Sequence, residues 1–278
     1  IKLPHGDRGL TLAALKLLTQ REPRLAPWLY AFEVSSKDTG TLERLAALAD
    51  GAVTWGGDEA VSALRRLAPP GCKLIEWGHR LSFAYVAGYE DREAEWSALA
   101  RHIVRTGGLL CSSCQVIFLD TDQLEEGEAF CQAFLPLLNR AARERDRDGA
   151  AQAALYTHTY RLERLAEGAG DRTWFGEGCS LTLKPDRELE LSPLYGNVLV
   201  KCLPRRELIP VLRRQKGRLQ TAGLLCRPEE REELTALLAR AGVTRITRAG
   251  EMSRTFPGEA HDGEYSLRRY IRLADIET

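Results

Sequence analysis

Ala52-Val53-Thr54-Trp55-Gly56-Gly57-Asp58-Glu59-Ala60-Val61 carries a short apolar strand straight into a glycine pair and then into a helix. Strand, tight turn and helix in immediate succession open a β-α-β unit, and the alternation continues on both sides. Upstream, Leu10 to Gln20 sets apolar residues at helical spacing, Trp28 to Val34 reads as an apolar strand, and Leu42 to Ala49 is helical again. Downstream, Glu59 to Leu67 is a helix stopped by Pro69-Pro70-Gly71, and Cys72 to Trp77 and Ser82 to Val86 are strands. Strands separated by helices of this length predict an α/β fold with a mostly parallel sheet.

The middle of the chain opens with a helix over Asp91 to Arg105, closed by Thr106-Gly107-Gly108. Cys111 and the strand Gln115 to Asp120 follow, then helices over Leu124 to Arg145 and Gly149 to Glu167. Alternation resumes with a strand over Asn197 to Leu203, a helix over Arg206 to Gln215 and a strand over Gln220 to Cys226. A helix from Pro228 to Ala241, a strand over Thr244 to Thr247 and a final strand over Arg269 to Ile276 complete the pattern.

The 278 residues suffice for one large domain or two modest ones, with a core that needs no disulfides. Lys+Arg and Asp+Glu are 39 each, which argues against a general nucleic-acid binder. No apolar run approaches the roughly 18 residues of a membrane span, and the residues after Ile1 do not read as a signal peptide. Seven cysteines, mostly inside apolar stretches, suit free thiols in a reducing cytoplasm. Ile1-Lys2-Leu3 reads as the end of a strand, so an upstream segment is expected.

The patterns GxxxxGK[ST], HExxH, GxSxG and a strand-borne GxGxxG are absent. Gly56-Gly57 before a helix could admit a phosphate to the helix N-terminus, but Asp58 and Glu59 in the first turn oppose an anion. Taken alone, the stretch is a weak signal and reads first as a capped turn in an α/β sheet. Cys111, after a glycine helix stop and before an apolar strand, stands where an α/β fold exposes a side chain, as a nucleophilic thiol requires. The competing reading is a small buried hydrophobe. Cys111-Ser112-Ser113-Cys114 also matches a dithiol or half of a zinc site, but no second such pair exists. Ala260-His261-Asp262-Gly263 sets an imidazole beside a carboxylate, and it also has the composition of a turn. Arg213-Arg214-Gln215-Lys216-Gly217-Arg218 reads as cationic capping of a helix end.

In order, the chain carries Lys2-Leu3, Thr54 to Val61, Glu76-Trp77-Gly78-His79-Arg80-Leu81-Ser82-Phe83, Cys111-Ser112-Ser113-Cys114-Gln115, Leu219-Gln220-Thr221, Ala249-Gly250, Gly258 to Gly263, and Asp275-Ile276-Glu277. This succession resembles the fatty acyl-CoA reductase family of bacterial luminescence, a branch of the aldehyde dehydrogenase superfamily. The resemblance implies an aldehyde-dehydrogenase-like α/β fold: a partial Rossmann-like cofactor domain over residues 1–86, a catalytic thioester domain over 87–255, and an active-site loop with a returning strand over 256–278. It implies a reaction in which an acyl group passes from CoA, or from an acyl-protein thioester, to a cysteine and is reduced to the aldehyde with NADPH. It further implies a homo-oligomer in the cytoplasm, an acyl-protein synthetase subunit as partner, and no metal.

Carried over by residue, the resemblance makes Cys111 the nucleophile and sets Lys2 on the adenosine ribose of NADPH. Gly56 and Gly57 fall beside the pyrophosphate, with Trp55 and Gly78 in the same cofactor set. Lys2 and the Trp55-Gly56-Gly57 turn are expected on one sheet edge, at the C-terminal ends of their strands. Glu76 falls where hydrolytic relatives keep a general base, and His261 could protonate the collapsing intermediate. Leu109-Leu110 replaces the family's usual polar approach to the nucleophile, and Pro193 stands where aldehyde dehydrogenases hold the nicotinamide ribose with a glutamate. These departures keep open a non-catalytic member serving as a binding or assembly subunit. The dithiol or zinc reading of Cys111 and Cys114 is the remaining alternative.

Overall fold

In the computed structural model, which describes residues 1–3, 6–7, 9–167 and 172–277, the chain divides into two units, Ile1–Gly78 and His79–Thr278. The division falls before the expected boundary at residue 86, because Leu81–Val86 hydrogen-bonds into the sheet of the second unit.

The first unit holds helices α1 (Leu10–Arg21) and α2 (Thr39–Ala47), then β1 (Gly51–Trp55), α3 (Asp58–Leu67) and β2 (Lys73–Trp77). β1 and β2 pair in parallel from Gly51 opposite Lys73 to Trp55 opposite Trp77, with α3 as the crossover. The β-α-β reading of residues 52–77 therefore holds. The strand expected over Trp28 to Val34 does not form. Pro23–Trp28 is a 3-10 helix with Pro27 inside it, and only Phe32 makes a bridge, in parallel with Lys2. Two prolines close together favour the tight turn and remove N–H donors that a ladder needs.

The second unit is built on a seven-stranded sheet. Its strands are β3 (Leu81–Val86), β4 (Cys114–Leu119), β5 (Arg172–Phe175), β6 (Ser180–Lys184), β7 (Asn197–Cys202), β8 (Leu219–Leu225) and β9 (Arg245–Arg248). They lie in the order β5-β6-β7-β4-β3-β8-β9, and every pairing is parallel except β5 with β6. All six residues of β3, and all six of β4, are buried. That is why both read as continuous apolar runs, as strands covered on both faces do.

The two faces separate by alternate residues. Ala84, Val86, Ile117 and Leu119 pack under α4 (Arg92–Thr106) and α5 (Leu124–Ala142), through Trp96, Leu99, Ile103, Phe130 and Phe134. Phe83, Tyr85, Val116 and Phe118 pack under α7 (Leu208–Leu212) and α8 (Arg231–Ala241), through Leu208, Leu212, Leu234 and Leu238. The long helix α6 (Arg147–Glu167) buries Thr157 and Tyr160, whose side chains reach Asn197 and Thr182.

Two outcomes depart from the sequence pattern. The β5–β6 hairpin does not follow from the sequence pattern, because its strands are only four and five residues long and one buried face of β6 is polar. In β6, Leu181 and Leu183 enter the core while Thr182 is buried against the hydroxyls of Tyr160 and Thr173, so this short strand is buried on both faces. The strand expected over Arg269 to Ile276 is replaced by a short helix, α9 (Ser266–Arg269), and residues 271–277 lie outside regular elements and are exposed. An alternating pattern gains a strand only where one face is buried. No helix among the described residues is long and apolar enough to cross a membrane.

Candidate active site

α4 leads directly to Cys111. Asp91 caps its start by accepting from the Ala94 N–H, and Gly107 ends it in the left-handed conformation at φ +59°. Gly108 continues the reversal at φ +79°, and a Cβ there would lie 3.0 Å from Leu194 and 3.1 Å from the Ser192 hydroxyl. Beyond it, Ser113 N–H donates to the Leu110 carbonyl while Ser113 Oγ accepts from the Leu110 N–H, both at 2.9 Å. This closed turn turns Cys111 outward, and Cys111 is exposed.

Three separate segments hold the turn in place. Ser82 Oγ, at the start of β3, donates to the Cys111 carbonyl at 2.6 Å and accepts from Thr221 N–H at 3.0 Å. Ser112 and Ser253 share a hydroxyl hydrogen bond of 2.8 Å. Buried Gln115 donates through Nε2 to the Gly108 carbonyl at 2.9 Å, and its Oε1 accepts from the N–H and the hydroxyl of Ser192 at 3.0 and 2.8 Å. Tyr195 N–H adds a bond of 2.7 Å to the Gly107 carbonyl. Leu194 and Tyr195 both adopt positive φ, a strained backbone held in place by these bonds. Cys111 thus stands at the amino-terminal edge of the parallel strands, on a turn with little freedom. The Ser82, Ser192 and Thr221 contacts were not legible in the sequence; the one signal was a glutamine at the mouth of an apolar strand.

Cys114 is different. Its side chain belongs to the core beneath α4, and burial pushes its thiol up to about 12. Its backbone N–H donates to Nε2 of buried His102 at 3.3 Å. Burial, and secondarily the positive charge of Arg105, lowers His102 to about 4. The unfolded chain, with histidine near 6.5, therefore binds the proton more readily, so stability rises with pH across this window. Lowering pH from 7.5 to 4.5 is expected to cost roughly 2–3 kcal/mol through His102. Urea unfolding of the wild type and of His102→Gln at both pH values checks this. The variant should lose that part of the pH dependence.

His261 lies on an exposed hairpin formed by β10 (Ala260–His261) and β11 (Glu264–Tyr265). Asp262 and Gly263, at φ +54° and +85°, make its two-residue turn, as an Asp-Gly pair favours. Asp262 also anchors it: its nearly buried carboxylate accepts from Arg80 Nε at 2.8 Å and from Gln220 Nε2 at 2.6 Å. Gln220 neighbours Thr221, so the hairpin and the Cys111 turn are tied to adjacent residues of β8.

The other candidates lie in the first unit. Trp55 is exposed and stacks on Trp77 at 6.2 Å. Gly56 accepts its turn geometry at φ +156° and donates its N–H to the Trp77 carbonyl at 3.2 Å. Gly57 precedes α3 without a side-chain cap, and a Cβ on it would meet nothing within 4 Å. Gly78 has room for a Cβ 3.7 Å from Val61. Glu76 is engaged by Arg65 through two bonds of 2.5 and 2.6 Å. Lys2 is exposed and joins Phe32 in the single bridge described above, apart from the β1–β2 sheet. The structure therefore does not bring Lys2 and the Gly56-Gly57 turn into one sheet.

This architecture is that of an aldehyde-dehydrogenase-like α/β protein. A crystal structure of the bifunctional proline utilization A (PutA) protein is similar over 97% of this chain and 30% of that one, with a TM-score of 0.65 at 18% identity. Aldehyde dehydrogenase 21 from Physcomitrella patens is similar over 86% of this chain and 54% of its own, with a TM-score of 0.59 at 10% identity. The sequence profile of the acyl-CoA reductase (LuxC) family matches residues 7–273, and the chain belongs to that family. It is 26% identical over 247 residues to the long-chain acyl-protein thioester reductase of Aliivibrio fischeri, and 23% identical over 248 residues to long-chain acyl-protein thioester reductase 2 of Photobacterium leiognathi. These matches cover 87% of this chain and 50% of each relative, so the chain spans about half the length of the curated relatives it matches.

Proposed function

We propose that this chain carries the acyl-accepting site of an NADPH-dependent reductase that converts a long-chain acyl thioester into a fatty aldehyde. The observation that carries the reading is Cys111, an exposed thiol on a turn fixed by Ser82, Gln115 and Tyr195, in a chain of the acyl-CoA reductase family. In the first step Cys111 Sγ, as thiolate, forms a bond to the thioester carbonyl carbon, the carbonyl–sulfur bond to the donor breaks, and the donor leaves as a thiolate that takes its proton from solvent. The acyl group remains on Cys111 as a thioester. The N–H of Cys111 has no hydrogen-bond partner among the described residues and is a donor for the developing oxyanion. The donor is acyl-CoA or an acyl-protein, with an acyl-protein synthetase as the partner that supplies the acyl group, and the protein works as a homo-oligomer in the cytoplasm.

The first unit has features suited to the cofactor. The uncapped start of α3 and the open space at Gly57 suit a pyrophosphate, since amide N–H groups gather there. Asp58 and Glu59 in the same turn limit how close it comes. Trp55 and Gly78 complete this set, and Lys2 supplies a cation for the 2′-phosphate. When bound, the dinucleotide supplies the hydride that reduces the acyl-cysteine. Glu76, neutralised by Arg65, is not a free base for activating water, which agrees with a reductase rather than a hydrolytic dehydrogenase. His261, on its anchored hairpin, is the candidate proton donor.

The test is NADPH oxidation with a long-chain acyl-CoA, scored against fatty aldehyde formed. A folded protein that binds NADPH yet forms no aldehyde from acyl-CoA or acyl-protein overturns the catalytic reading in favour of a binding subunit. Lys2→Ala is expected to weaken NADPH roughly ten- to a hundredfold and NADH far less, because one charge-assisted contact is lost. Equal losses for the two cofactors in a titration would remove Lys2 from the 2′-phosphate.

A further inference from the structure

Behind the Cys111 turn, the C-terminal half of α4 forms one wall of a cavity of about 650 Å³, within the size range that encloses small ligands. Its charged lining is uneven. Arg101 and Arg105 stand four residues apart on α4 and so share a face, and neither has an ion pair among the described residues. Arg145 also lines the cavity, and among the described residues its guanidinium donates to the carbonyls of Gly178 and Tyr195, both at 2.9 Å. Against these three guanidiniums stand two carboxylates, Glu144 and Asp146, and Asp146 already accepts from Gly149 N–H. Val104, Leu109 and Ala141 make the rest of the wall apolar. Buried His102 is part of the same wall, and its Nδ1 has no hydrogen-bond partner among the described residues.

We infer that this cavity binds an amphipathic anion, a medium-chain carboxylate with its head on Arg101 and Arg105 and its alkyl chain against Val104, Leu109 and Ala141. Guanidiniums without carboxylate partners favour a two-oxygen anion, and the apolar wall favours a chain over a small inorganic ion. Occupancy reports to the nucleophile through the protein itself. Thr106, Gly107 and Leu109 are both cavity wall and the start of the Cys111 turn. Arg145 holds the Tyr195 carbonyl while Tyr195 N–H holds Gly107. A ligand on the arginines therefore changes the exposure of Cys111. The inference does not depend on the reductase reading, because its readouts are binding and thiol reactivity.

Decanoate is the probe, with acetate as the headgroup alone and 1-decanol as the chain alone, titrated calorimetrically into the protein. Decanoate is expected to bind one to one, and acetate and decanol not at the same concentrations. Arg101→Gln/Arg105→Gln, two exposed substitutions that leave the fold intact, should weaken decanoate at least tenfold. Saturating decanoate should also change the rate at which iodoacetamide modifies Cys111 in the wild type by threefold or more, and leave it unchanged in the double variant. Absence of saturable decanoate binding, equal binding by decanol, or affinity untouched by the two arginine substitutions would each overturn the inference.

Discussion

Cys111→Ala is expected to abolish acyl transfer and aldehyde formation, with a loss of roughly a thousandfold or more, whereas Cys114→Ala keeps both. The two thiols are three positions apart, but the fold treats them oppositely. Cys111 is exposed at the tip of its turn, and Cys114 is enclosed beneath α4 with its thiol pushed up to about 12. A thiol that high contributes almost no thiolate at neutral pH, and the thiolate is the nucleophile. Losing the Cys114 sulfur opens a small void in the core, at about 1–2 kcal/mol. Acylation under single-turnover conditions, read beside the Tm of each variant, separates the chemical loss from the structural one. Acylation retained in Cys111→Ala but lost in Cys114→Ala would reverse the assignment, and a requirement for both sulfurs would revive the dithiol reading.

Gln115→Ala is the second large effect. It leaves the part-buried Gly108 carbonyl and both donors of buried Ser192 without their partner. Stranding buried polar groups costs about 1–3 kcal/mol each, so a loss of about 3 kcal/mol is expected in urea unfolding. The acylation rate should also fall roughly ten- to a hundredfold, because the Gly107-Gly108 reversal that aims Cys111 loses one of its ties. Ser192→Ala should be milder, about 1 kcal/mol, since the N–H of residue 192 still donates to Gln115. An acylation rate unchanged in Gln115→Ala would remove this glutamine as a positioning residue.

Local physics made much of the architecture legible. Asp91, the apolar spacing and Gly107-Gly108 mark α4 at both ends, and the glycine pair after Trp55 marks the crossover into α3. Apolar runs announced β3 and β4 as strands, and burial on both faces is why those runs do not alternate. The failures share a cause, which is that the deciding contact lies far along the chain. β6 buries Thr182 as well as Leu181 and Leu183, and Thr182 is satisfied by Tyr160, 22 residues away. Residues 271–277 alternate like a strand but have no buried face in this chain. Position after a glycine stop singled out Cys111, yet its support comes from Ser82, Ser192 and Thr221, and no spacing rule links them. Asp262 is similar: its turn chemistry is local, but its anchor is Arg80, 182 residues away.

The central claim is that Cys111 is the acyl acceptor. It is tested most directly by incubating the protein with a labelled long-chain acyl-CoA without NADPH, digesting it at acidic pH, and locating the label by peptide mass spectrometry. The account predicts one acyl group per chain, on the peptide containing Cys111, discharged when NADPH is added. Label on another residue, or a folded protein that acquires none from either acyl-CoA or an acyl-protein donor, would contradict it.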